Sequence, residues 1–170
     1  SMKGEISEDD IFETAVDMNI DAFIPSRYIT IESEKLDFYK RIAGIENKEE
    51  FMDMQEELTD RFGDIPESVN NLLKIAYLKA KAHSLYITEI TYRDNDLIMV
   101  MYNKANVKVE KISEFINKYK PYLKFHPEQE PYFTYTFDKN KKQNKIKTSK
   151  VFGLVNDLLK DIKDLLLEEK

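Results

Sequence analysis

The sequence predicts an α+β fold: an N-terminal strand and a three-helix block, then a small, mostly antiparallel sheet with flanking helices and a long C-terminal helix. Apolar residues recur at helical spacing from about residue 31 to 82, and the alternation typical of strands begins at Leu85. Only four glycines and five prolines punctuate the 170 residues, so connections should be short. We therefore expect a flexible, acidic N-terminal arm at residues 3–15 and a single domain over residues 16–170.

The first element is predicted to be a strand. Residues 16–24 alternate between apolar and polar side chains as far as Ala22, which is typical of a half-buried strand. Pro25 should end this strand, because proline cannot donate a hydrogen bond to a neighbouring strand.

Three helices are predicted to follow. The first covers residues 31–43 and ends at Gly44, and the second follows Asn47, which has capping-box spacing to Glu50. The third runs from about residue 67 to 82, and Pro66 at its start suits the first position of a helix. Gly63 suits the C′ position of the second helix. The apolar positions expected to face inward are Leu36, Tyr39, Ile42 and Ala43 in the first helix, Phe51, Met54, Leu58 and Phe62 in the second, and Val69, Leu72, Leu73, Ala76 and Ala80 in the third.

The second half of the chain is predicted to be a sheet with two helices. Residues 85–92 and 97–102 form a hairpin around Asp94-Asn95, and residues 122–125 and 132–137 form two further strands. Asn106 is expected to cap an intervening helix that ends before Pro121. The last helix begins near Thr148 or Ser149, and its apolar stripe is predicted to be mostly core, although part of it could pack on another chain: Val151, Leu154, Val155, Leu158, Leu159, Ile162, Leu165 and Leu166.

Composition argues against several classes of protein. The chain contains no cysteine, which excludes disulfides and thiolate metal sites and fits a cytoplasmic protein. No apolar run approaches 18 residues, so no membrane span is predicted. The formal net charge of −6 makes nucleic acid an unlikely main partner, since phosphate binding needs a basic surface.

The sequence offers few residues for catalysis. His83 and His126 lie in different predicted elements, and neither has an evident partner to position it as a base. No glycine-rich phosphate loop and no calcium-binding spacing occurs. We therefore assign no catalytic, metal-binding or cofactor-binding residue and expect a non-enzymatic chain.

A basic segment, Lys139 to Lys150, stands out against the acidic background. It holds six lysines in twelve residues. The segment could contact nucleic acid or an acidic partner, or it could be a solvated loop leading into the last helix. The second interpretation is favoured, because the segment lacks the aromatic side chains on which bases stack.

The stretch from Glu56 to Pro66 contains the charged residues of greatest interest. Glu57 and Asp60 lie three apart on one side of the second helix, and Arg61 can pair with Glu57 at i+4. On physical grounds alone this arrangement is a surface ion pair of small energetic value, about 0.3–0.5 kcal/mol.

Four stretches in the first half of the chain share a specific pattern. They read LDFYKRIA at residues 36–43, ELTDRFGDIP at 57–66, VNNLL at 69–73 followed by Ala76, and a start at 16–25 that ends in DAFIP. Together they resemble the C-terminal (TRCF) domain of the bacterial transcription-repair coupling factor family. Phe38 and Ile65 are conservative departures from that pattern.

The resemblance implies a regulatory role. Members of this family are ATP-driven DNA translocases that displace stalled RNA polymerase and recruit the excision-repair machinery, and their helicase motifs lie outside this domain. In the resting protein the domain is expected to pack against a UvrB-like N-terminal module of the same chain and to mask the surface that binds UvrA. Release of this autoinhibitory contact would then permit transcription-coupled nucleotide excision repair.

The resemblance also assigns an interface. Glu57 and Asp60 match acidic family positions that face basic residues of the UvrB-like module, and Arg61 is assigned to the same interface. The alternative is that the chain is a nucleic-acid-contacting accessory module of the same translocase, acting through Lys139–Lys150.

Overall fold

The computed structural model describes residues 12–137 and 146–166, and all elements named below lie within them. The helices are α1 (Glu32–Ala43), α2 (Lys48–Phe62), α3 (Glu67–Ser84), α4 (Val109–Lys118) and α5 (Thr148–Leu165). The strands are β1 (Ala15–Met18), β2 (Ile87–Arg93), β3 (Asp96–Met101), β4 (Leu123–His126) and β5 (Tyr132–Thr136). The predicted α+β class and the predicted order of elements are confirmed.

Residues 19–81 form one compact unit, which contains α1, α2 and most of α3. Its core is built from apolar side chains that each helix and the preceding segment contribute at regular spacing. These buried residues are Ile24, Ile29, Phe38, Ile42, Ile45, Met54, Leu58, Val69 and Leu73. The helical spacing of the sequence is therefore the direct cause of this core.

The predicted first strand is shorter than expected. Alternation runs to Ala22, but β1 ends at Met18. The backbone beyond it bonds to helices instead of a strand: the Phe23 amide donates to the Ser68 carbonyl at 3.2 Å. The alternation of apolar and polar residues in this segment therefore reflects which side chains are buried. It does not mean that the whole segment forms hydrogen bonds to a neighbouring strand.

The inward face of α1 also differs from the prediction. Phe38 and Ile42 are buried, whereas Leu36 is 54% exposed and Ala43 is exposed. The buried stripe continues from Ile42 to Ile45 beyond the helix end. Phe38 takes the inward position because it is the larger apolar group in register with Ile42, four residues on.

The ends of α2 form much as predicted. The Glu50 amide donates to the Asn47 side-chain oxygen at 2.8 Å, which confirms Asn47 as the cap. The Glu50 carboxylate accepts from the Glu46 amide at 2.8 Å, one residue earlier than in a strict capping box. Gly63 ends the helix at φ 87° and ψ −162°, a conformation almost confined to glycine.

Pro66 lies one residue before the first helical residue of α3. Its carbonyl accepts hydrogen bonds from the amides of Val69 and Asn70 at 3.1 Å and 3.0 Å. It therefore acts as the cap of α3 rather than as the predicted first residue of the helix.

The rest of the described chain forms a second compact unit around a five-stranded sheet of order β1-β2-β3-β5-β4. β1 runs parallel to β2, and the other neighbours are antiparallel, which confirms a mostly antiparallel sheet. Asp94 and Asn95 turn the hairpin with φ of 51° and 64°, as the type I′ turn requires.

Helices α4 and α5 belong to this second unit. Phe115 of α4 meets Phe133 of β5 edge-to-face at 5.1 Å. The stripe of α5 is mostly core, as predicted, but Leu154 and Leu166 are only half-buried, and Phe152, which was not predicted, is buried. Its buried residues are Val151, Phe152, Val155, Leu158, Leu159, Ile162 and Leu165.

The predicted cap of α4 is wrong. The cap position is Lys108, not Asn106, and no side chain bonds there. The Lys108 amide donates to the Leu165 carbonyl at 2.7 Å, and Val107 pairs with Leu166 in an isolated bridge. Pairing with the end of α5 therefore places the start of α4 two residues later than the cap rule predicts.

Two predicted features fall mainly outside the described residues. The N-terminal arm is described only from Phe12, whose ring stacks on His83 and Tyr102 at 4.6 Å and 4.7 Å. Of the Lys139–Lys150 segment, residues 139–145 lie outside; Lys147 and Lys150, at the start of α5, are exposed. Among the helices that the structure describes, none combines the length and apolarity needed to cross a bilayer.

Candidate interaction surface

The candidate surface lies on α1 and α2, where charged side chains cover an aromatic pair. Phe38 of α1 and Phe62 of α2 meet edge-to-face with their ring centroids 5.5 Å apart. The local helical register places Arg41 one turn after Phe38, and Arg61 directly before Phe62. The Arg41 guanidinium lies 4.8 Å from the Phe38 centroid and that of Arg61 lies 5.2 Å from it, within range of cation–π attraction.

Glu57 is bound by Arg41 in a two-pronged pair. The Arg41 Nη1 and Nη2 atoms donate to Oε2 and Oε1 of Glu57 at 2.7 Å and 2.5 Å. Side-chain exposure is 39% for Arg41 and 34% for Glu57, so the pair is partly shielded from water. Planar pairing of this kind fixes the orientation of the carboxylate as well as its charge.

The electrostatics of Glu57 follow from this pair. The hydrogen bonds from Arg41 lower the pKa of the Glu57 carboxyl below its usual value, although desolvation opposes them. In turn the hydrogen bond to Glu57 raises the pKa of Arg41. Glu57 is therefore ionised at neutral pH and stays bound to a permanent cation.

Arg61 makes two ion pairs of unequal length. Its Nη2 donates to Oε2 of Glu34 on α1 at 2.5 Å, and its Nη1 lies 3.7 Å from Oε2 of Glu57. The predicted i+4 pair with Glu57 is present, but the contact with Glu34 is the closer one. Glu34, Arg61, Glu57 and Arg41 thus form an alternating series of charges, the ion-pair ladder, that joins α1 to α2.

Asp60 differs from Glu57 in its surroundings. It is exposed and makes no hydrogen bond or ion pair with any residue that the structure describes. Asp53 and Glu56, also exposed, lie on the same side of α2. The structure therefore brings the three assigned residues together, with Glu57 and Arg61 occupied inside the domain and Asp60 open to solvent.

Sequence reasoning missed Arg41 and Glu34. Both lie on α1, 16 and 27 residues from their partners, so no local spacing relates them to α2. The position of Arg41 within the LDFYKRIA stretch marked it as a residue of interest, but that position does not reveal which side chain Arg41 contacts.

The two histidines occupy structural positions. The Nε2 atom of His83 lies 2.9 Å from the Phe12 carbonyl oxygen, and that of His126 lies 3.0 Å from the Thr134 hydroxyl. The His126 ring also stacks on Tyr132 at 4.3 Å. Within residues 12–137 and 146–166, no three histidine or carboxylate side chains are grouped so that they could hold a metal ion.

A shallow cleft of about 620 Å³ lies in the second unit between α4 and α5. Two of its lysines already have acidic partners: Lys118 contacts Asp161 at 2.9 Å and Lys111 contacts Glu114 at 3.2 Å. The Tyr119 hydroxyl donates to Asp161 as well, and burial followed by this bond raises the pKa of Tyr119. The contacts of Lys118 and Tyr119 with Asp161 join α4 to α5, whereas Lys111 and Glu114 pair within α4.

The fold and this surface define a class of protein: an α+β domain whose most organised polar feature is an ion-paired helical surface. The TRCF domain family model matches residues 18–112, more than half of the chain. The chain therefore belongs to the TRCF domain family, the C-terminal domain of transcription-repair coupling factors, as the sequence patterns indicated.

Sequence comparison with known proteins supports this family assignment. The chain is 34% identical over 143 residues to the transcription-repair-coupling factor of Borreliella burgdorferi, covering 84% of this chain and 13% of that protein. It is 32% identical over 120 residues to the Bacillus subtilis factor, covering 69% of this chain and 10% of that protein. The chain thus spans about a tenth of the length of these relatives.

A solved structure shares the fold. The crystal structure of a C-terminal domain of transcription-repair coupling factor superposes with a TM-score of 0.70 at 24% identity, covering 90% of this chain and 95% of the other. This likeness extends over both compact units and supports the fold assignment beyond the residues that the family model matches.

Proposed function

We propose that this chain is a non-catalytic, autoinhibitory interaction domain of a DNA-translocating transcription-repair coupling factor. In the resting factor it packs on the UvrB-like module of the same protein and masks the surface that binds UvrA. Release exposes that surface for transcription-coupled nucleotide excision repair in the cytoplasm, with UvrA and RNA polymerase as indirect partners. The domain needs no cofactor for this role.

One observation carries the proposal: Asp60 is exposed and unpaired among the described residues, one turn from Glu57, within the ELTDRFGDIP stretch that the family shares. A carboxylate without an internal partner gains most from a basic surface that approaches it. Met52, 53% exposed on the same helix, adds exposed apolar area to α2.

The chemistry of this surface suits a reversible contact. An inhibitory interface must open, and interfaces between domains of one chain are typically more polar than those of permanent complexes. A charge-complementary surface also steers association and loses strength when either partner moves. Locking requires only a few kcal/mol of difference between the closed and open states.

The test is UvrA binding by the full-length factor carrying Glu57→Ala and Asp60→Ala. Loss of both acids should weaken the closed state and raise UvrA affinity, by roughly fivefold or more if each contact contributes about 0.5 kcal/mol or more. The matched control is Glu110→Ala with Glu114→Ala, which removes two exposed acids from α4.

Unchanged UvrA affinity in the Glu57/Asp60 double variant, or an equal rise in the control, would refute the proposal. Binding of DNA by this chain with a steep dependence on salt would instead favour the nucleic-acid alternative, since such a slope reports phosphate contacts.

A further inference from the structure

We infer that Arg41 is an internal competitor for Glu57, so that it sets how tightly the α2 surface binds a basic partner. The identity of that partner, an arginine- or lysine-bearing protein surface on the UvrB-like module, rests on the proposed function. The competition itself rests only on the geometry of this chain.

Contact geometry provides the first step. Both carboxylate oxygens of Glu57 accept from Arg41, at 2.7 Å and 2.5 Å, and Arg61 lies 3.7 Å away on the same side chain. A cation arriving at Glu57 must share these oxygens or displace Arg41. Displacement exchanges one two-pronged pair for another, so the net gain in affinity is small.

Charge balance provides the second step. The ion-pair ladder contains two acids and two bases and has no net charge, so it neither attracts nor repels a cation at distance. Asp60 lies outside the ladder and has no cationic partner among the described residues. A basic partner should therefore be drawn first to Asp60 and should recruit Glu57 only by opening the Arg41 pair.

A weakened contact fits the regulatory role. If Glu57 were free, the two acids would hold a basic partner more firmly and release would be slower. Arg41 keeps the contact weak enough to open, and its guanidinium is itself held near Phe38, 4.8 Å from the ring centroid. Arg41 is thus a positioning residue, because it acts on the partner through Glu57.

The experiment titrates this chain with a hexa-arginine peptide, a stand-in for a basic protein surface, and follows the NMR signals of α2. Arg41→Met keeps an unbranched apolar stem but removes the guanidinium, so Glu57 loses its two-pronged pair and retains only the longer contact with Arg61 at 3.7 Å. This substitution should tighten peptide binding by about two- to fivefold, the factor that an exposed ion pair supplies. Arg93→Met is the matched control, because it removes the same charge from an exposed pair, Arg93–Asp17 at 2.8 Å, in the second unit.

Two further variants test whether Arg41 affects binding through Glu57 or only by supporting the fold. Arg41→Lys keeps the charge but lacks the planar fork, so binding should fall between wild type and Arg41→Met. In Arg41→Met combined with Glu57→Gln the gain in affinity should vanish. In Arg41→Met the carboxyl pKa of Glu57, measured by NMR, should rise toward its usual value. If Arg41 had only a structural role, the Arg41→Met substitution would leave the affinity for the peptide unchanged.

The outcomes distinguish this inference from the proposed function. If Arg41→Met binds the peptide no better than the wild type or Arg93→Met, the inference is overturned, even if this chain binds the UvrB-like module. If the peptide result holds but neither this chain nor its Arg41→Met variant binds that module, the competition stands and the proposed docking fails. A gain that survives Glu57→Gln also overturns the inference, since it would not pass through Glu57.

Discussion

At the scale of single residues, Glu57 and Asp60 differ in ways that their spacing conceals. Both are acids on one side of α2, yet Glu57 is bound by Arg41 at 2.5 Å and 2.7 Å, while Asp60 makes no hydrogen bond or ion pair with a described residue. The first joins α2 to α1 and stabilises the domain. The second is available to a partner. Replacing the two together therefore mixes two effects, and single variants are needed to separate them.

The pH dependence of stability should report the Glu57–Arg41 pair. The pKa of Glu57 is lowered in the folded state by its hydrogen bonds to Arg41, so its contribution is present above the usual value of 4.5 and is lost as pH falls through the folded pKa. Glu57→Gln should therefore lower the free energy of unfolding at pH 7 by about 0.5 kcal/mol, after allowance for exposure. Urea unfolding at pH 7 and pH 3 measures the difference.

The difference between wild type and Glu57→Gln should shrink as pH falls to 3, and at pH 7 it should be smaller in an Arg41→Met background, where Glu57 keeps only the contact with Arg61 at 3.7 Å. A loss of stability that is the same at pH 7 and pH 3 would mean that the Glu57 side chain stabilises the fold by packing rather than by charge.

At the scale of elements, helix ends are where local sequence has the clearest energetic effect. Gly63 closes α2 with φ 87° and ψ −162°, and its carbonyl accepts from the Tyr28 hydroxyl at 2.9 Å. A Cβ at this position would meet no neighbouring atom, so any cost of substitution is conformational. A substitution at Gly63 therefore measures the cost of backbone strain without a contribution from steric overlap.

Gly63→Ala should therefore destabilise the chain by about 1–3 kcal/mol. Gly153→Ala is the matched control: it lies inside α5, also with open space around a Cβ, and should stabilise by about 0.5–1 kcal/mol because alanine favours helix. Thermal unfolding followed by circular dichroism measures both. Equal changes in the two variants would show that the φ of Gly63 imposes no cost.

The caps of α2 and α4 provide a second matched pair. Asn47→Ala removes the acceptor of the Glu50 amide and should cost about 1 kcal/mol. Asn106→Ala changes the residue that the cap rule selected for α4, but the structure places Lys108 at that cap, so its effect should stay below about 0.5 kcal/mol. Urea unfolding distinguishes them, and a loss of 1 kcal/mol in Asn106→Ala would contradict the observed start of α4.

At the scale of the whole molecule, each compact unit has a core of its own. The unit of residues 19–81 is packed by helical side chains around Phe38, Leu58 and Leu73, and the other by the inner face of the sheet with α4 and α5. The described chain thus divides its apolar residues between two cores, whereas the sequence led us to expect a single domain over residues 16–170.

Core truncation tests this assignment. Leu158→Ala in α5, where the side chain is fully buried, should lower the free energy of unfolding by about 2–4 kcal/mol. Leu36→Ala should cost less than about 0.5 kcal/mol, because Leu36 is 54% exposed although its spacing placed it in the core of α1. Chemical unfolding at pH 7 provides the measurement, and similar losses in both variants would contradict the observed face of α1.

Much of this fold was determined by the sequence alone. The helical period from residue 31, the change of period at Leu85, the Asp94-Asn95 turn, the cap at Asn47 and the stop at Gly63 all formed as predicted. Each depends on contacts within about ten residues, where side-chain spacing and backbone preference act directly. The family patterns at residues 36–43 and 57–66 identified the family for the same reason: they are contiguous.

Only the tertiary structure decided the contacts between distant residues. It placed Arg41 on Glu57, 16 residues away, and Glu34 on Arg61, 27 residues away, and it shifted the start of α4 by pairing Lys108 with the end of α5. It also set β1 parallel to β2 and turned Phe38 inward in place of Leu36. These outcomes depend on which surfaces meet when the chain packs, and no local period encodes that choice.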